Sequence, residues 1–387
     1  MPSKITGSNQ SIAREINNQV VLDEIKNKES SATELAKKLK LSNATLSSIL
    51  NNLLQFGIIR VSHNDSINGL GRKRVVYELN DDFALGLIVS ITNFSVKLVI
   101  SNIHKTTLYE ETFDVEEYNL NTMYKIIINI KDILTKKEFR DIPVGDIIIS
   151  LPGLINKQSG ELQVSPQFNP DLFDNANSFT KLFEEAFKCP VYLENDTKLM
   201  MLGELANGAF KEDSTGMLIY NDIGMGGALE VNGKLFLGSR GYAGEIGLLE
   251  VLNDKGELAL LDNVASLRAL KSIILEKYQL KLSTKELIES YKMGNSIIVD
   301  EVLKSGTKLG EALSNAIKVF DIDSFIISGR CVNFGQNYLE KIREQILQAN
   351  KEATVSFSQC CKDKIIEGAK DIVTNYILKQ SLENIGK

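Results

Sequence analysis

Asn43, Thr45, Ser47, Ser48, Asn51 and Asn52 are spaced so that one face of a helix would carry short hydrogen-bonding side chains. Leu46, Ile49, Leu50 and Leu53, at i, i+3, i+4 and i+7, would line the opposite face. Small hydroxyls and amides of this kind match the donors and acceptors of base edges and phosphates in a major groove. Further along, Gly69-Leu70-Gly71-Arg72-Lys73-Arg74 sets three consecutive cations behind flexible glycines. Arg72, Lys73 and Arg74 are suited to contact phosphates or to enter a minor groove. Taken singly, the polar face also fits a plain solvated helical hairpin, and the cations a solvated loop.

The elements that would position these residues are written nearby. Gln19 to Lys28 supports a first helix with Val20, Val21 and Ile25 on its apolar side. Ser31-Ala32-Thr33-Glu34 has the S-x-x-E form of a capping box, which starts a second helix with Leu35, Ala36 and Leu39 inward. Lys40-Leu41 makes the turn, Ser42 is a good N-cap for the helix that carries the polar face, and Gly57 stands where a left-handed C-terminal residue is wanted. Ile58 to Val61 and Arg74 to Leu79 read as two short strands around the turn-rich stretch His63 to Gly71. Together these predict a winged helix-turn-helix over residues 1–80.

Charge agrees with that division. Residues 1–80 hold 11 Lys/Arg against 7 Asp/Glu, whereas the remainder holds 33 against 43. A basic head on an acidic body fits a DNA-binding module attached to a sensor, and the formal net charge of -6 excludes a protein that is basic throughout. The 387 residues are too many for one ordinary core. No apolar run approaches the roughly 18 residues of a membrane span, and no apolar leader opens the sequence. Cys189, Cys331, Cys360 and Cys361 have neither a disulfide framework nor metal spacing, and the only histidines are His63 and His104. A reduced, cytoplasmic, metal-free protein without membrane attachment is expected.

From Phe83 onward, apolar strands alternate with amphipathic helices. Ala84 to Ser101, Ile147 to Leu151, Val191 to Leu193, Met217 to Leu237 and Phe325 to Ser328 are strand-like. Tyr124 to Leu134, Ser178 to Phe187, Leu267 to Tyr278, Asp300 to Phe320 and Asp371 to Leu382 are helical. The order β-β-β-α-β-α-β, followed by a second β-β-β start, predicts two related α/β lobes. Within them stand Glu194-Asn195-Asp196, Gly224-Met225-Gly226-Gly227, Asn232-Gly233-Lys234-Leu235, Gly238 and Ala243-Gly244-Glu245-Ile246-Gly247. In that order and spacing they resemble the ROK family, which groups bacterial sugar kinases with sugar-responsive repressors. Leu41-Ser42-x-Ala44-Thr45-x-Ser47 and Gly57-Ile58-Ile59 through Gly71-Arg72 resemble the DNA-binding half of its repressors, those of xylose and N-acetylglucosamine operons above all.

The resemblance implies an α/β fold class: an N-terminal winged helix-turn-helix plus a two-lobed, actin-like sugar-kinase (ribonuclease H-like) fold. The expected domains are 1–80, 81–195 and 196–387, with the C-terminal helix returning to the first lobe. It also implies that kinase chemistry is lost. Family kinases open their first lobe with Asp-x-Gly-Gly-Thr for Mg²⁺ and ATP phosphates, and the matching stretch here is Gly86-Leu87-Ile88-Val89-Ser90-Ile91-Thr92, with Ile88 at the acid. The family's second phosphate loop, Gly-Thr-Gly, is Asp222-Ile223-Gly224, where a carboxylate would repel phosphate. The sugar half is better kept. Asn195 and Asp196 match the family's sugar-contacting pair, and Glu245 matches another hydroxyl ligand. Leu248 replaces the family's His, the cysteine-rich zinc motif is missing, and Asp262 falls where that motif's final Glu would sit.

Pro152 and Gly153, closing a buried strand, join Asn195, Asp196, Glu245 and Asp262 as the expected effector-binding residues. No cofactor and no metal are expected. The expected protein is a sugar-responsive repressor with a catalytically dead sensor, a homodimer or dimer of dimers on double-stranded operator DNA. The alternatives are a regulator that binds a sugar-transport protein instead of free sugar, and an active sugar kinase.

Overall fold

The computed structural model describes residues 8–65, 74–92, 95–165, 176–211, 213–359 and 361–385. The chain opens with α1 (Ser8–Asn27), β1 (Ser30–Ser31), α2 (Ala32–Leu39), α3 (Asn43–Gln55), β2 (Ile59–Asp65) and β3 (Arg74–Leu79). The capping box at α2 is closed in both directions: Glu34 N–H donates to Ser31 Oγ, and Ser31 N–H donates to the Glu34 carboxylate. Lys40 stops α2 in the left-handed region at φ 54°. Ser42 Oγ accepts from Thr45 N–H to start α3, whose Leu46, Ile49, Leu50 and Leu53 are all buried. Gly57, at φ 72°, turns the chain into β2. The three strands form one sheet in the order β1-β3-β2.

The inward stripe of α1 differs from the expected one. Val21, Leu22 and Ile25 are buried with Asn18, whereas Val20 is exposed. Positions 18, 21, 22 and 25 repeat at i, i+3, i+4 and i+7, and Val20 lies off that line. The helix also begins well before Gln19, at Ser8.

A second group of elements follows: β4 (Leu85–Thr92), β5 (Ser95–Ser101), β6 (Thr107–Asp114), α4 (Leu120–Leu134), β7 (Val144–Leu151), β8 (Leu154–Asn156), β9 (Glu161–Val164), α5 (Ala176–Phe187) and β10 (Val191–Asn195). The third group is α6 (Asp196–Ala206), β11 (Thr215–Asn221), β12 (Met225–Val231), β13 (Lys234–Phe236), β14 (Glu250–Leu252), β15 (Leu258–Leu260), α7 (Asp262–Ala265), α8 (Leu267–Tyr278), α9 (Thr284–Lys292), α10 (Ser296–Phe320), β16 (Ser324–Ser328), α11 (Gln336–Ala349), β17 (Thr354–Phe357) and α12 (Cys361–Ile385). One five-stranded sheet runs β10-β7-β4-β5-β6 and the other β13-β12-β11-β16-β17. Reversing the first list gives the same pattern in both: third, second, first, fourth and fifth strand. The repeat expected from element order is therefore a repeat of sheet topology. In the second sheet β11 pairs antiparallel with β12 and parallel with β16.

The chain divides into two compact units. Residues 1–149, 178–192 and 370–387 make one, and residues 150–177 and 193–369 the other. Residues 150–177, expected with the first lobe, thus group with the second unit. The head is tied to the sheet of its own unit: Arg60 bonds Glu78 and Asp81, and Asn102 Nδ2 donates to Asp81 at 2.9 Å. In the other unit a core of aliphatic and aromatic side chains from β11, β12, β16, α8, α10 and α11 includes Ile219, Phe325, Ile327, Leu309, Leu313 and Tyr338.

Helix α6 owes its position to two glycines. A Cβ on Gly203 would lie 2.1 Å from Lys364 O, and one on Gly368 would lie 1.9 Å from Leu199 O. The backbones of α6 and the start of α12 approach too closely for any side chain there. Gly368→Val is therefore expected to force the helices apart and cost about 3 kcal/mol or more. Thermal melting of the purified protein checks it. An unchanged transition would mean that the two helices are not packed in this way.

Candidate functional site

The start of α6 is the best-built polar cluster among the described residues. Asn195 is its N-cap: the side-chain oxygen accepts from Lys198 N–H at 3.0 Å, and Nδ2 donates to Gly153 O at 2.8 Å. One amide thus starts the helix and holds the Pro152-Gly153 turn to it. That turn is also fastened to the hairpin of β8 and β9, because Ser165 Oγ donates to Pro152 O at 2.6 Å. Gly153 is needed there: its φ is 150°, and a Cβ would stand 2.5 Å from Val164 O.

Asp196 follows, with only 9% of its surface exposed. Its Oδ1 accepts from Thr197 N–H at 2.7 Å and from Thr197 Oγ1 at 3.2 Å. Burial pushes its pKa up to about 6, the Thr197 bonds oppose that, and nearby Glu245 adds to it. Glu245 is likewise raised, because burial outweighs the attraction of its cation, Lys198.

Lys198 is the residue that sequence reasoning missed. Its side chain is 2% exposed, and its ammonium lies 3.2 Å from Glu245. The remaining protons go to main-chain oxygens: Gly227 O at 2.7 Å and Ala243 O. Burial lowers its pKa, while Glu245 and Asp196 raise it. One cation therefore joins α6, the glycine-rich strand β12 and the loop that carries Glu245. The close approach depends on Gly227, where a Cβ would lie 2.2 Å from Gly244 O. A lysine just before the apolar run Leu199-Met200-Met201-Leu202 was the available signal, since a charge entering a buried helix needs a partner.

Asp262 does other work. Its Oδ1 accepts from Met225 N–H at 2.7 Å, fastening the glycine turn, and its Oδ2 accepts from Arg268 at the start of α8. Leu248, at the position of the family's His, is 51% exposed. Leu258 to Ser266, the apolar stretch in place of the zinc motif, forms β15 and α7, with Leu258 outward and Leu261, Val264 and Ala265 buried. Among the described residues no group of three or more His, Cys, Asp or Glu could hold a metal ion, and no helix is long and apolar enough to cross a membrane.

Ile88 is fully buried in the middle of β4, opposite Val99. The expectation for Asp222 needs correction, because its charge is not bare. Arg330 Nε donates to Asp222 Oδ1 at 2.7 Å, and a second guanidinium nitrogen completes the ion pair.

On the other unit, Asn43, Thr45, Ser47, Ser48 and Asn51 are all exposed on α3, over the buried leucine stripe, and Asn52 is half-buried. Thr45 is partly committed, because its hydroxyl lies 2.9 Å from Ser42 Oγ in the cap. Arg74 opens β3, opposite Asp65. Arg72 and Lys73 lie outside the described residues.

Residues 91–373 match the model of the ROK family. The chain belongs to the ROK family. It is 28% identical to the xylose repressor of Staphylococcus xylosus over 346 residues, covering 87% of this chain and 88% of that one. To the xylose repressor of Caldicellulosiruptor bescii it is 26% identical over 363 residues, covering 88% and 89%. Among solved structures, a ROK family transcriptional regulator, a homologue of E. coli MLC protein, superposes with a TM-score of 0.78 at 20% identity over 97% of this chain and 99% of that chain. The ROK hexokinase of Thermus thermophilus superposes at 0.60 and 20% identity over 74% of this chain and 96% of its own. The mixed α/β fold is thus that of ROK regulators and kinases.

Proposed function

We propose that this chain is a sugar-responsive transcriptional repressor. In this reading α2, α3 and the β2–β3 wing form a winged helix-turn-helix on operator DNA, and the cluster at the start of α6 receives a small sugar. The carrying observation is α3 itself: a row of exposed Asn43, Ser47, Ser48 and Asn51 backed by buried Leu46, Ile49, Leu50 and Leu53. Likeness to xylose repressors over most of the chain supports it. A cytoplasmic homodimer reading two half-sites completes the proposal. Catalysis has no support at Ile88, a core aliphatic where an acid would be required. A mobility-shift assay on selected duplexes, with and without xylose, N-acetylglucosamine and other sugars, tests the reading. Sequence-independent binding that no sugar alters would remove it.

Arg72→Ala with Lys73→Ala is expected to weaken binding to every duplex and to flatten its salt dependence, because fewer counterions are released. Affinity and slope both unchanged would reject the wing assignment.

Asp196→Asn is expected to separate ligand binding from stability. A sugar hydroxyl left without its carboxylate costs about 1–3 kcal/mol, so sugar affinity should fall about tenfold or more. Stability should move the other way. Asp196 ionises at about 6 in the folded protein and at about 3.9 when unfolded. Between those values the folded state holds the extra proton, so stability falls as pH rises through this window and the loss is complete above it. Asparagine carries no such penalty. The variant should be more stable than the parent at pH 7.5, by on the order of 2 kcal/mol, and the difference should vanish near pH 4. Urea unfolding at both pH values measures this. A variant that is less stable at pH 7.5 would mean that the Asp196 charge is held favourably.

A further inference from the structure

Five exposed leucines gather on the β14–β15 hairpin and the residues just before it. The pairing sets Leu252 opposite Leu258 and Glu250 opposite Leu260. Side chains alternate along a strand, so Glu250, Leu252, Leu258 and Leu260 share one face, and Val251 and Ala259 share the other. Val251 packs against the core of its unit, so that face is the inner one. The outer face is open: Leu258 is 68% exposed, Leu252 54% and Leu260 37%. Leu248 and Leu249, at the base of the hairpin, are exposed as well. A small antiparallel sheet with one face in water ordinarily sets polar side chains there, and a two-stranded one gains little stability of its own. Together the five leucines leave on the order of 400 Å² of apolar surface, enough to mark an interaction site.

We propose that this face is the surface through which two copies of the chain pair, hairpin against hairpin. The inference deepens the homodimer proposed above by naming the surface that joins its halves; it rests on that reading for its use, but not for its test. Area and composition favour a second copy. A standard interface takes about 800 Å² from each partner, and in homodimers about 65% of it is apolar, so the leucines supply most of the apolar part. Neither an aromatic residue nor an arginine, the usual anchors of an interface with another protein, stands between Leu248 and Leu260. Plain aliphatic faces are those of permanent homodimers, which resemble a core cut in two. Charge sets the orientation. A two-fold axis places the same surface patch on both sides of the contact. Turn beside turn would set Glu250 against its own copy. The antiparallel arrangement sets the turn, Asn253 to Glu257, against the base of the other hairpin, and so brings Glu250 to the partner's Lys255. Within the turn Asp254 is neutralised by Lys277 at 2.6 Å, and Glu257 accepts from Asn253 Nδ2. Lys255 pairs with Glu276 in a contact open to water at both ends, which leaves its charge available to a partner.

The test is sedimentation of the full chain, without DNA or sugar. The parent should be a dimer at about 1 µM. Leu258→Glu should weaken association by about 100-fold or more, because it sets a carboxylate in the middle of the apolar face. Its far-ultraviolet circular dichroism should match the parent's, since Leu258 is exposed in the single chain. Glu250→Lys and Lys255→Glu should each weaken the dimer, and the two together should restore it. A parent that stays monomeric at about 100 µM overturns the proposal and leaves the face to a different chain. A Leu258→Glu variant that pairs as the parent does overturns it too, as does a double exchange that pairs no better than either single one. If Leu258→Glu folds poorly, Leu252→Ser, a smaller change on the same face, takes its place and is read in the same way. A dimer that depends on Leu258 yet shows no sequence-specific duplex binding would remove the repressor reading alone. Specific operator binding by a dimer that Leu258→Glu does not disturb would remove this surface alone.

Discussion

Lys198→Met is expected to lower stability by about 3–5 kcal/mol at pH 8, the usual cost of removing one partner of a buried ion pair. Methionine fills nearly the same volume, so lost packing contributes little. What is lost is the one group that satisfies Glu245 and the carbonyls of Gly227 and Ala243 together. Each buried acceptor left unpaired costs on the order of 1–3 kcal/mol. The gain from no longer burying an ammonium offsets part of this, and for that reason the sum of the separate losses is not expected. The pH dependence identifies the cause. Without Lys198, nothing opposes the effect of burial on Glu245, whose pKa is already raised in the parent. A carboxyl with a raised folded pKa stabilises below that value and stops doing so as pH rises through it. The defect should therefore be smaller at pH 5 than at pH 8. Urea unfolding at both pH values decides it. An equal defect at the two would point to packing, and the view of Lys198 as the cation that holds the cluster would be lost. Sugar response should fail at pH 8 even in the folded fraction, because Glu245 and the β12 turn no longer share a fixed partner.

How much of this was legible depended on how local the physics was. The Ser31–Glu34 capping box, the Leu46 to Leu53 stripe and the Gly57 turn are decided within a few residues, and all three are in the structure. The duplicated strand order followed from element order, since three-strand meanders and helical crossovers have few ways to assemble. On α1 the apolar side holds Val21 and Ile25 as expected, but Val20 is exposed, because two adjacent valines cannot both lie on the line through 18, 21, 22 and 25. The short β8–β9 hairpin, with strands of three and four residues, left too few positions for a pattern. The site was less legible than the fold. Lys198 meets partners at 227, 243 and 245, and Asp222 meets Arg330 across 108 residues of sequence. Resemblance could align Asp222 with a phosphate loop, but it could not reveal that the charge is neutralised. Nor could it show the tertiary contacts of Asp262, whose carboxylate meets Met225 and Arg268.

On the proposed DNA face, Ser47→Ala, Ser48→Ala and Asn51→Ala combined are expected to reduce specific operator affinity by about 10²–10⁴-fold. The basis is the roughly 1–3 kcal/mol of discrimination carried by a good base contact, with not every side chain making one. All three are exposed, while the stripe that holds α3 in place lies on its other side. Folding stability should therefore change by less than about 0.5 kcal/mol, the usual range for surface substitutions away from special features. Thr45→Ala is the contrasting variant. Its hydroxyl bonds Ser42 Oγ in the cap, so it should cost stability as well as affinity. No cation is removed by the triple change, so the slope of affinity against salt should keep its value on random duplex while sequence preference disappears. Arg72→Ala with Lys73→Ala should do the reverse: a shallower slope with preference intact. Titrating operator and random duplex at several salt concentrations with both variants separates base reading from phosphate gripping. If the triple variant weakens operator and random DNA alike, α3 grips phosphates instead of reading bases, and sequence preference must be supplied by some other part of the head.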